Sequence, residues 1–172
     1  MKKVNLTVEQ KEKRDLKFFT VDEFNEFVDS AKCYIQNLSS AYHREMGLRR
    51  LLMLQFIFLT SCRYGEAAVL EWQNVDILLR DIYIRQSWQI NLGKVGPTKN
   101  LQSVRYIAID ERTANILEEM KAMSNCDFVF ATTHKQPFSN GALNKFMKKV
   151  GDYGGMDKNP KDFSTHMLRH SH

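Results

Sequence analysis

The sequence is poor in cysteine, and its few cysteines are not arranged as a cross-linking framework. Cys33, Cys62 and Cys126 are odd in number, widely spaced and without a C-x-x-C pair. The N-terminus also lacks the basic region and apolar region of a secretory signal. These absences exclude a small disulfide-stapled secreted protein and predict a cytoplasmic protein with reduced thiols.

Long apolar runs are absent as well. The longest run, residues 51–59, is interrupted by Gln55 and is far shorter than the roughly 20 residues that span a bilayer. We interpret it as a buried helix and expect no membrane partner. No internal repeat, low-complexity segment or lipidation signal is present.

The composition is that of one globular domain with a mild excess of positive charge. Of 172 residues, 43% are apolar and 11% aromatic, which is enough for a substantial core. The formal net charge of +5 favours polyanionic partners.

The first residues of the chain differ from the rest. Residues 1–17 contain six Lys or Arg and three acidic residues, with few apolar residues and no clear period. A solvated tail and a contact with a phosphate backbone both fit this pattern. We therefore divide the chain into a basic arm or linker at 1–18 and a folded domain at 19–172.

Four longer helices are predicted from capping signals and apolar spacing. Thr20 and Glu23 form a capping box for a first helix that ends near the Ser39–Ser40 pair, and Asp110 caps another helix at 111–123. A helix at 44–61 is apolar almost all round, as expected for the centre of a helical domain. A fourth helix is predicted at 140–150, ending at Gly151 as a C′ glycine.

In the middle of the chain the spacing of apolar residues changes from a helical pattern to every second residue, as in a strand. Residues 81–88 alternate, residues 104–109 are rich in strand formers, and a turn is predicted at 93–98 between them. Residues 127–130 are interpreted as a short buried strand. The predicted fold is therefore mainly α with a small antiparallel β-sheet that carries an exposed hairpin.

Arg63 lies at a predicted junction between packed helices. The apolar run ends there with a turn at Gly65, and a short helix is predicted over 66–72. An arginine at this junction keeps its charge and offers five donors in a planar fork. The alternative is an ordinary ion pair with Glu66, three residues on.

Lysines are candidate functional residues in two further parts of the chain, the hairpin and the fourth helix. Lys99 lies at the mouth of the hairpin, where a lysine is usually solvated, although loops often carry function. Lys145, Lys148 and Lys149 lie together on the fourth helix, as a solvated face or as a face that follows phosphates.

The last nine residues, 164–172, form the start of a helix capped by Ser164. On a helix His166, Arg169 and His170 project from one face near a positive N-terminus, which suits an anion, although a polar surface helix fits equally. A metal hydrolase using His166, His170 and His172 is a further interpretation. It lacks the H-E-x-x-H pattern, because Met167 follows the first histidine, and it has no obvious acidic base.

Three of these places resemble the catalytic domain of tyrosine recombinases, the phage-integrase family. Residues 60–76 resemble the first arginine box, Thr-Gly-x-Arg-x-x-Glu followed by Leu-x-Trp and an aspartate, with Ser61 in place of the usual glycine. Residues 98–109 resemble the hairpin with Thr-Lys at its start and Ser-x-Arg before the second strand. Residues 165–172 resemble the second box, His-x-Leu-Arg-His. The resemblance covers the chain from Phe19 onward.

The resemblance implies a fold, an activity, a location in a prokaryotic host cell or its nucleoid, and roles for individual residues. It implies site-specific DNA recombination through a 3′-phosphotyrosine, with Arg63 and Arg169 on the phosphate and His166 and Lys99 as the proton-transfer groups. Such chemistry fits two arginines that neutralise a phosphorane, and it requires no cofactor or metal. Glu66 would support the first box. Candidate contacts to double-stranded DNA are Lys94, Arg105, Lys145, Lys148 and Lys149.

The family's Gly-His or Gly-Trp motif and its tyrosine nucleophile are expected after His172. All six tyrosines of this chain precede the second box. The sequence therefore predicts a C-terminally truncated catalytic domain that binds DNA without cleaving it, as a monomer, whereas intact recombinases form tetramers on DNA. A non-catalytic DNA-binding module derived from an integrase is the alternative, and a topoisomerase of the same chemistry is also possible.

Overall fold

A computed structural model of the chain describes residues 18–89, 92–98, 103–156 and 163–169. The predicted basic arm at 1–17, Lys99, His170 and His172 lie outside these residues. The described part folds as predicted, mainly α-helical with small antiparallel sheets. Its elements in order are α1 (Val21–Gln36), α2 (Ala41–Thr60), α3 (Tyr64–Ala68), β1 (Val75–Asp76), β2 (Asp81–Ile84), β3 (Gln86–Gln89), β4 (Lys94–Pro97), β5 (Arg105–Ala108), α4 (Glu111–Met123), α5 (Asn140–Gly154) and α6 (Thr165–Arg169).

Helix α2 is the centre of the core. Its second half is apolar on nearly every side, with residues 51–54 and 56–58 buried, and the helix packs against α1, α3, α4, α5 and α6. The stacked rings of Phe24 and Phe58, with centroids 3.8 Å apart, join α1 to α2. None of the described helices is both long and apolar enough to cross a bilayer.

The capping signals locate two helices correctly. The Thr20 hydroxyl accepts the N–H of Glu23 at 3.2 Å, and the Glu23 carboxylate accepts the N–H of Thr20 at 2.7 Å, so α1 begins with a capping box. The Asp110 carboxylate accepts the N–H of Thr113 at 2.8 Å at the start of α4. Both helices bury one apolar stripe against α2.

The β-structure forms two sheets rather than the predicted single sheet. The run 81–88 divides at Arg85, because β2 pairs with β1 and β5 whereas β3 pairs only with β4. The predicted turn at 93–98 was wrong, since residues 94–97 form β4 and the turn is made by Gly93 at φ 59°. Pro97 is tolerated because it ends a two-stranded ribbon, opposite Gln86.

Two glycines have a different role from the one predicted. Gly65 lies inside α3, and Gly151 lies inside α5, which continues to Gly154 and ends with Gly155 at φ 61°. Both glycines are there for packing. A Cβ on Gly65 would lie 2.6 Å from the Ser87 hydroxyl, and one on Gly151 would lie 1.9 Å from the Phe163 ring.

The segment predicted as a strand at 127–130 pairs with the chain after α3. The N–H of Val129 donates to the carbonyl of Leu70 at 2.8 Å, and the N–H of Trp72 donates to that of Asp127 at 2.9 Å. Together they form one isolated bridge between Glu71 and Phe128, not a strand of a sheet. They also explain why α3 ends at Ala68 instead of reaching residue 72, since the backbone of Leu70 and Trp72 is bonded elsewhere.

Candidate phosphate-binding site

The connection between α2 and α3 brings Arg63 to the surface. After Thr60 the chain reverses at Ser61, which has left-handed dihedrals (φ 53°, ψ 21°), and Cys62 is buried. Arg63 then takes an extended conformation and precedes the first turn of α3. The left-handed conformation at Ser61 gives a physical reason for glycine at this position in the motif that the sequence resembles.

The carboxylate of Glu66 organises the site. Its Oε1 accepts hydrogen bonds from Nη1 of Arg63 at 2.9 Å and from Nη1 of Arg105 at 3.2 Å. Its Oε2 accepts the backbone N–H of Arg63 and Nη2 of Arg105, both at 3.0 Å. Each oxygen thus has two donors, so the buried carboxylate is fully satisfied and both guanidiniums are fixed in place.

This cluster has more positive charge than negative. The side chain of Glu66 is 1% exposed, whereas that of Arg63 is 48% exposed and that of Arg105 is 34% exposed. Two guanidiniums around one carboxylate leave one positive charge in excess at the surface. Nη1 of Arg105 also donates to the carbonyl of Ser103 at 3.0 Å. The donors of Arg63 that Glu66 does not use are available to a bound anion, and a phosphate suits the planar fork of an arginine.

The protonation of the cluster follows from its contacts. Burial alone would raise the pKa of Glu66, but the hydrogen bonds and charges of Arg105 and Arg63 outweigh it, so its pKa lies below the ordinary value. The hydrogen bond to Glu66 raises the pKa of Arg105. The carboxylate therefore stays ionised at neutral pH.

The pairing of Arg105 with Glu66 was not predicted from the sequence, where Arg105 was only a candidate DNA contact. A signal was present in the alternation of β5. Arg105 and Ile107 are partly buried, whereas Tyr106 is 69% exposed and Ala108 is also exposed. An arginine on the inward side of a strand needs a carboxylate, and Glu66 supplies it.

Tyr64 joins the Arg63 segment to the start of α5. Its hydroxyl donates to the carbonyl of Phe138 at 2.8 Å. Burial raises the pKa of Tyr64, with a smaller opposing contribution from the backbone of Asn140. The hydroxyl is therefore a structural hydrogen-bond donor that remains protonated.

The start of α6 is fixed by side chains of α5. The Thr165 hydroxyl donates to Oδ1 of Asn140 at 2.7 Å, and its N–H donates to Oδ1 of Asn144 at 3.0 Å. Met167 and Leu168 are buried in the core, whereas His166 is exposed. The Tyr64 hydroxyl binds the carbonyl of Phe138, two residues before Asn140, and the Thr165 hydroxyl binds the side chain of Asn140. The segments that contain Arg63 and His166 are therefore both attached to the start of α5.

The remaining predicted residues are only partly placed. Arg169 is the last residue of α6, with its side chain outside the described atoms, and Lys99 lies outside the described residues. Lys94 is exposed on β4, Lys145 and Lys149 are exposed on α5, and Lys148 is partly buried. No group of three or more potential metal ligands occurs in the part of the chain that the structure describes.

Known proteins share both the sequence pattern and the fold. The integrase of Staphylococcus phage L54a is 26% identical over 186 residues, which cover 99% of this chain and 51% of that protein. Tyrosine recombinase XerC of Natranaerobius thermophilus is 28% identical over 129 residues, covering 73% of this chain and 40% of that protein. The chain thus spans about half, or less, of the length of these curated relatives.

Solved structures of an integrase and of tyrosine recombinases have the same fold. The Tn1549 transposon integrase, in complex with circular intermediate DNA, superposes with a TM-score of 0.73 at 14% identity over 93% of this chain and 54% of that one. The model of the phage integrase family matches residues 17–172. The chain therefore belongs to the phage integrase family and has the catalytic-domain fold of the tyrosine recombinases.

Proposed function

We propose that this chain supplies the phosphate-binding part of a DNA strand-exchange site, for site-specific recombination or integration of double-stranded DNA. The observation that carries the proposal is the buried Glu66 carboxylate, which fixes Arg63 and Arg105 while leaving Arg63 half exposed. Cleaving a phosphodiester places negative charge on the non-bridging oxygens. Preorganised guanidinium donors stabilise that charge most where they need no rearrangement.

Each predicted site residue has a role in this proposal. Arg63 and Arg169 bind the non-bridging oxygens from two sides, with Arg105 as the residue that completes the pairing of Glu66. His166 and Lys99 transfer the protons that the attacking and leaving oxygens exchange. The anchoring of the Arg63 and His166 segments to one end of α5 supports a shared site.

The 172-residue chain itself is proposed to bind DNA without forming a covalent link. Its six tyrosines all precede the second box, and Tyr64, the neighbour of Arg63, is unsuited to attack. Its hydroxyl already donates to Phe138, and burial raises its pKa. A nucleophile needs a free and readily ionised hydroxyl.

The location, oligomeric state and domain division of the chain are also proposals. We expect the isolated chain to be a monomer in the cytoplasm, whereas recombinases with a complete strand-exchange assembly act as tetramers on DNA. The basic arm at 1–18 and the catalytic domain at 19–172 are the proposed units. Lys94 and Lys148 are the proposed phosphate contacts outside the site.

DNA binding at several salt concentrations tests the phosphate contact. Each phosphate contact adds about 0.9 to the slope of log K against log salt. Arg63→Ala should weaken duplex binding and lower the slope by about that amount. The matched control is Lys32→Ala, which removes one charge from an exposed ion pair with Asp29 on α1. Equal slopes for the two variants would count against a phosphate contact at Arg63.

Nicked duplex DNA tests the absence of a covalent step. The chain should give no protein–DNA adduct, and an adduct would show that an internal tyrosine attacks after all. The tyrosine-bearing segment of a relative, fused after His172, should restore adduct formation if the site is competent. Continued inactivity of a folded fusion would favour a non-catalytic DNA-binding module.

A further inference from the structure

A second basic site lies in a cavity of about 400 Å³ between α1, α2 and α5. Arg50 and His43 of α2 line one side, and Lys145 and Lys149 of α5 line the other. The apolar part of the lining includes the ring of Phe146. The cavity lining therefore combines an aromatic ring with the cationic side chains of Arg50, Lys145 and Lys149.

The cations of this cavity have no counter-charge among the described residues. None of the described lining residues is acidic, and no described carboxylate forms an ion pair with Arg50, Lys145 or Lys149. Like charges on facing helices repel each other. An anion between them would remove this repulsion.

Arg50 is the least satisfied of these groups. Its Nε is buried and has no hydrogen-bond partner in the described part of the chain. Burial lowers the pKa of Arg50, and the guanidinium lies over the ring of Phe138, 5.7 Å from its centroid. A cation–π contact offsets only part of the cost of desolvating a guanidinium, so an anionic partner would be strongly favoured here.

The cavity is separate from the Arg63 site. Arg50 precedes the end of α2 at Thr60 by ten residues, which is about 15 Å along the helix axis. Arg63, Glu66 and Arg105 are not among the described residues that line the cavity. The two sites nevertheless share Phe138, whose ring faces Arg50 and whose carbonyl binds Tyr64.

We propose that this cavity binds a phosphate group through Arg50, Lys145 and Lys149. The group is either a small phosphate compound or a phosphodiester of a DNA strand, which have the same charge-assisted recognition chemistry. The site does not depend on the strand-exchange function proposed above, since neither Arg63 nor Glu66 takes part in it.

Titration of the chain with inorganic pyrophosphate, followed by amide NMR shifts, tests the site. Shifts should concentrate on α5 and the first half of α2. The double variant Lys145→Ala/Lys149→Ala should weaken the binding at least about tenfold, as expected for losing two charge-assisted contacts. Lys32→Ala is the control, because Lys32 is an exposed lysine of α1 that does not line the cavity and has no proposed DNA contact. Arg50→Gln is a second variant that should have the same effect as the double variant.

The outcomes show whether the cavity binds phosphate and whether that phosphate belongs to DNA or to a small compound. Loss of pyrophosphate binding together with weaker duplex binding in the double variant identifies a DNA phosphate as the ligand. Loss of pyrophosphate binding with duplex binding unchanged identifies a small phosphate compound. No saturable pyrophosphate binding, or an equal loss in Lys32→Ala, would overturn the proposal. Because Arg63→Ala leaves this cavity intact, failure of one site is distinguishable from failure of the other.

Discussion

Glu66 and Arg105 lie 39 positions apart in the chain, yet two hydrogen bonds of 3.0 and 3.2 Å join the carboxylate of one to the guanidinium of the other. This pairing attaches β5 to α3. It also leaves Arg63, the third member of the cluster, with its side chain about half exposed.

Replacing Glu66 by glutamine should destabilise the fold. The glutamine side chain would keep the shape of the glutamate but lose the charge that four donors share, and its amide would face two guanidiniums. We expect a loss of about 2–3 kcal/mol in the free energy of unfolding. Urea unfolding followed by circular dichroism measures it. The control Glu118→Gln, at an exposed position on α4, should stay within about 0.5 kcal/mol of the wild type.

The effect of Glu66 should depend on pH. A carboxyl group whose pKa is lowered by folding contributes stability that is fully present above its unfolded pKa, near 4.5, and is lost as the pH falls through the folded value. The stability difference between the wild type and Glu66→Gln should therefore be constant near neutral pH and shrink below about 4.5. Asp110, whose pKa is lowered chiefly by the hydrogen bond from the Thr113 side chain, titrates in both proteins and cancels from the difference. A difference that grows on acidification would contradict the assignment.

Ser61→Gly should stabilise the protein. A non-glycine residue in the left-handed region is strained, whereas glycine adopts it freely but loses more entropy on folding. The balance should favour glycine by about 0.5–1 kcal/mol, measured as a rise in the thermal midpoint. Ser30→Gly, inside α1, is the control with the opposite expected sign. A lower midpoint for Ser61→Gly would indicate that the serine side chain contributes an interaction of its own.

Two glycines of α5 should respond in opposite ways to alanine. A Cβ on Gly151 would overlap the ring of Phe163, the residue that leads into α6, so Gly151→Ala should cost about 2–3 kcal/mol. Gly141 has no atom within 4 Å of its ideal Cβ, so Gly141→Ala should gain about 0.5 kcal/mol from helix propensity. Denaturant unfolding of the pair measures both effects. If both variants lose stability equally, crowding at Phe163 is not the cause.

The sequence predicted those elements that depend on local chemistry. The capping box at Thr20 and the cap at Asp110 place the starts of α1 and α4, because the bonds involved join residues only three positions apart. The nearly continuous apolar run in the second half of α2 likewise identifies it as the central helix.

Long-range packing explains what the sequence did not predict. The sequence predicts a turn at Gly65 and a helix end at Gly151. In the structure each glycine instead lies where a side chain or strand that is distant in sequence leaves no room for a Cβ. The division of the run 81–88 at Arg85 depends on which strand pairs with which, and alternation alone does not contain that information. The role of Arg105 was missed for the same reason, since its partner Glu66 belongs to another element.

The close approach at Gly65 has a practical consequence for protein engineering. Because α3 lies directly on β3 with no room for a Cβ, the first arginine segment and the β3–β4 hairpin form one fitted unit. A chimera that takes only the hairpin from a relative would therefore have a mismatched surface beneath Arg63. The module to exchange runs from Arg63 through Ala108, so that the helix, the ribbon it rests on and the Arg105 partner of Glu66 all come from the same parent.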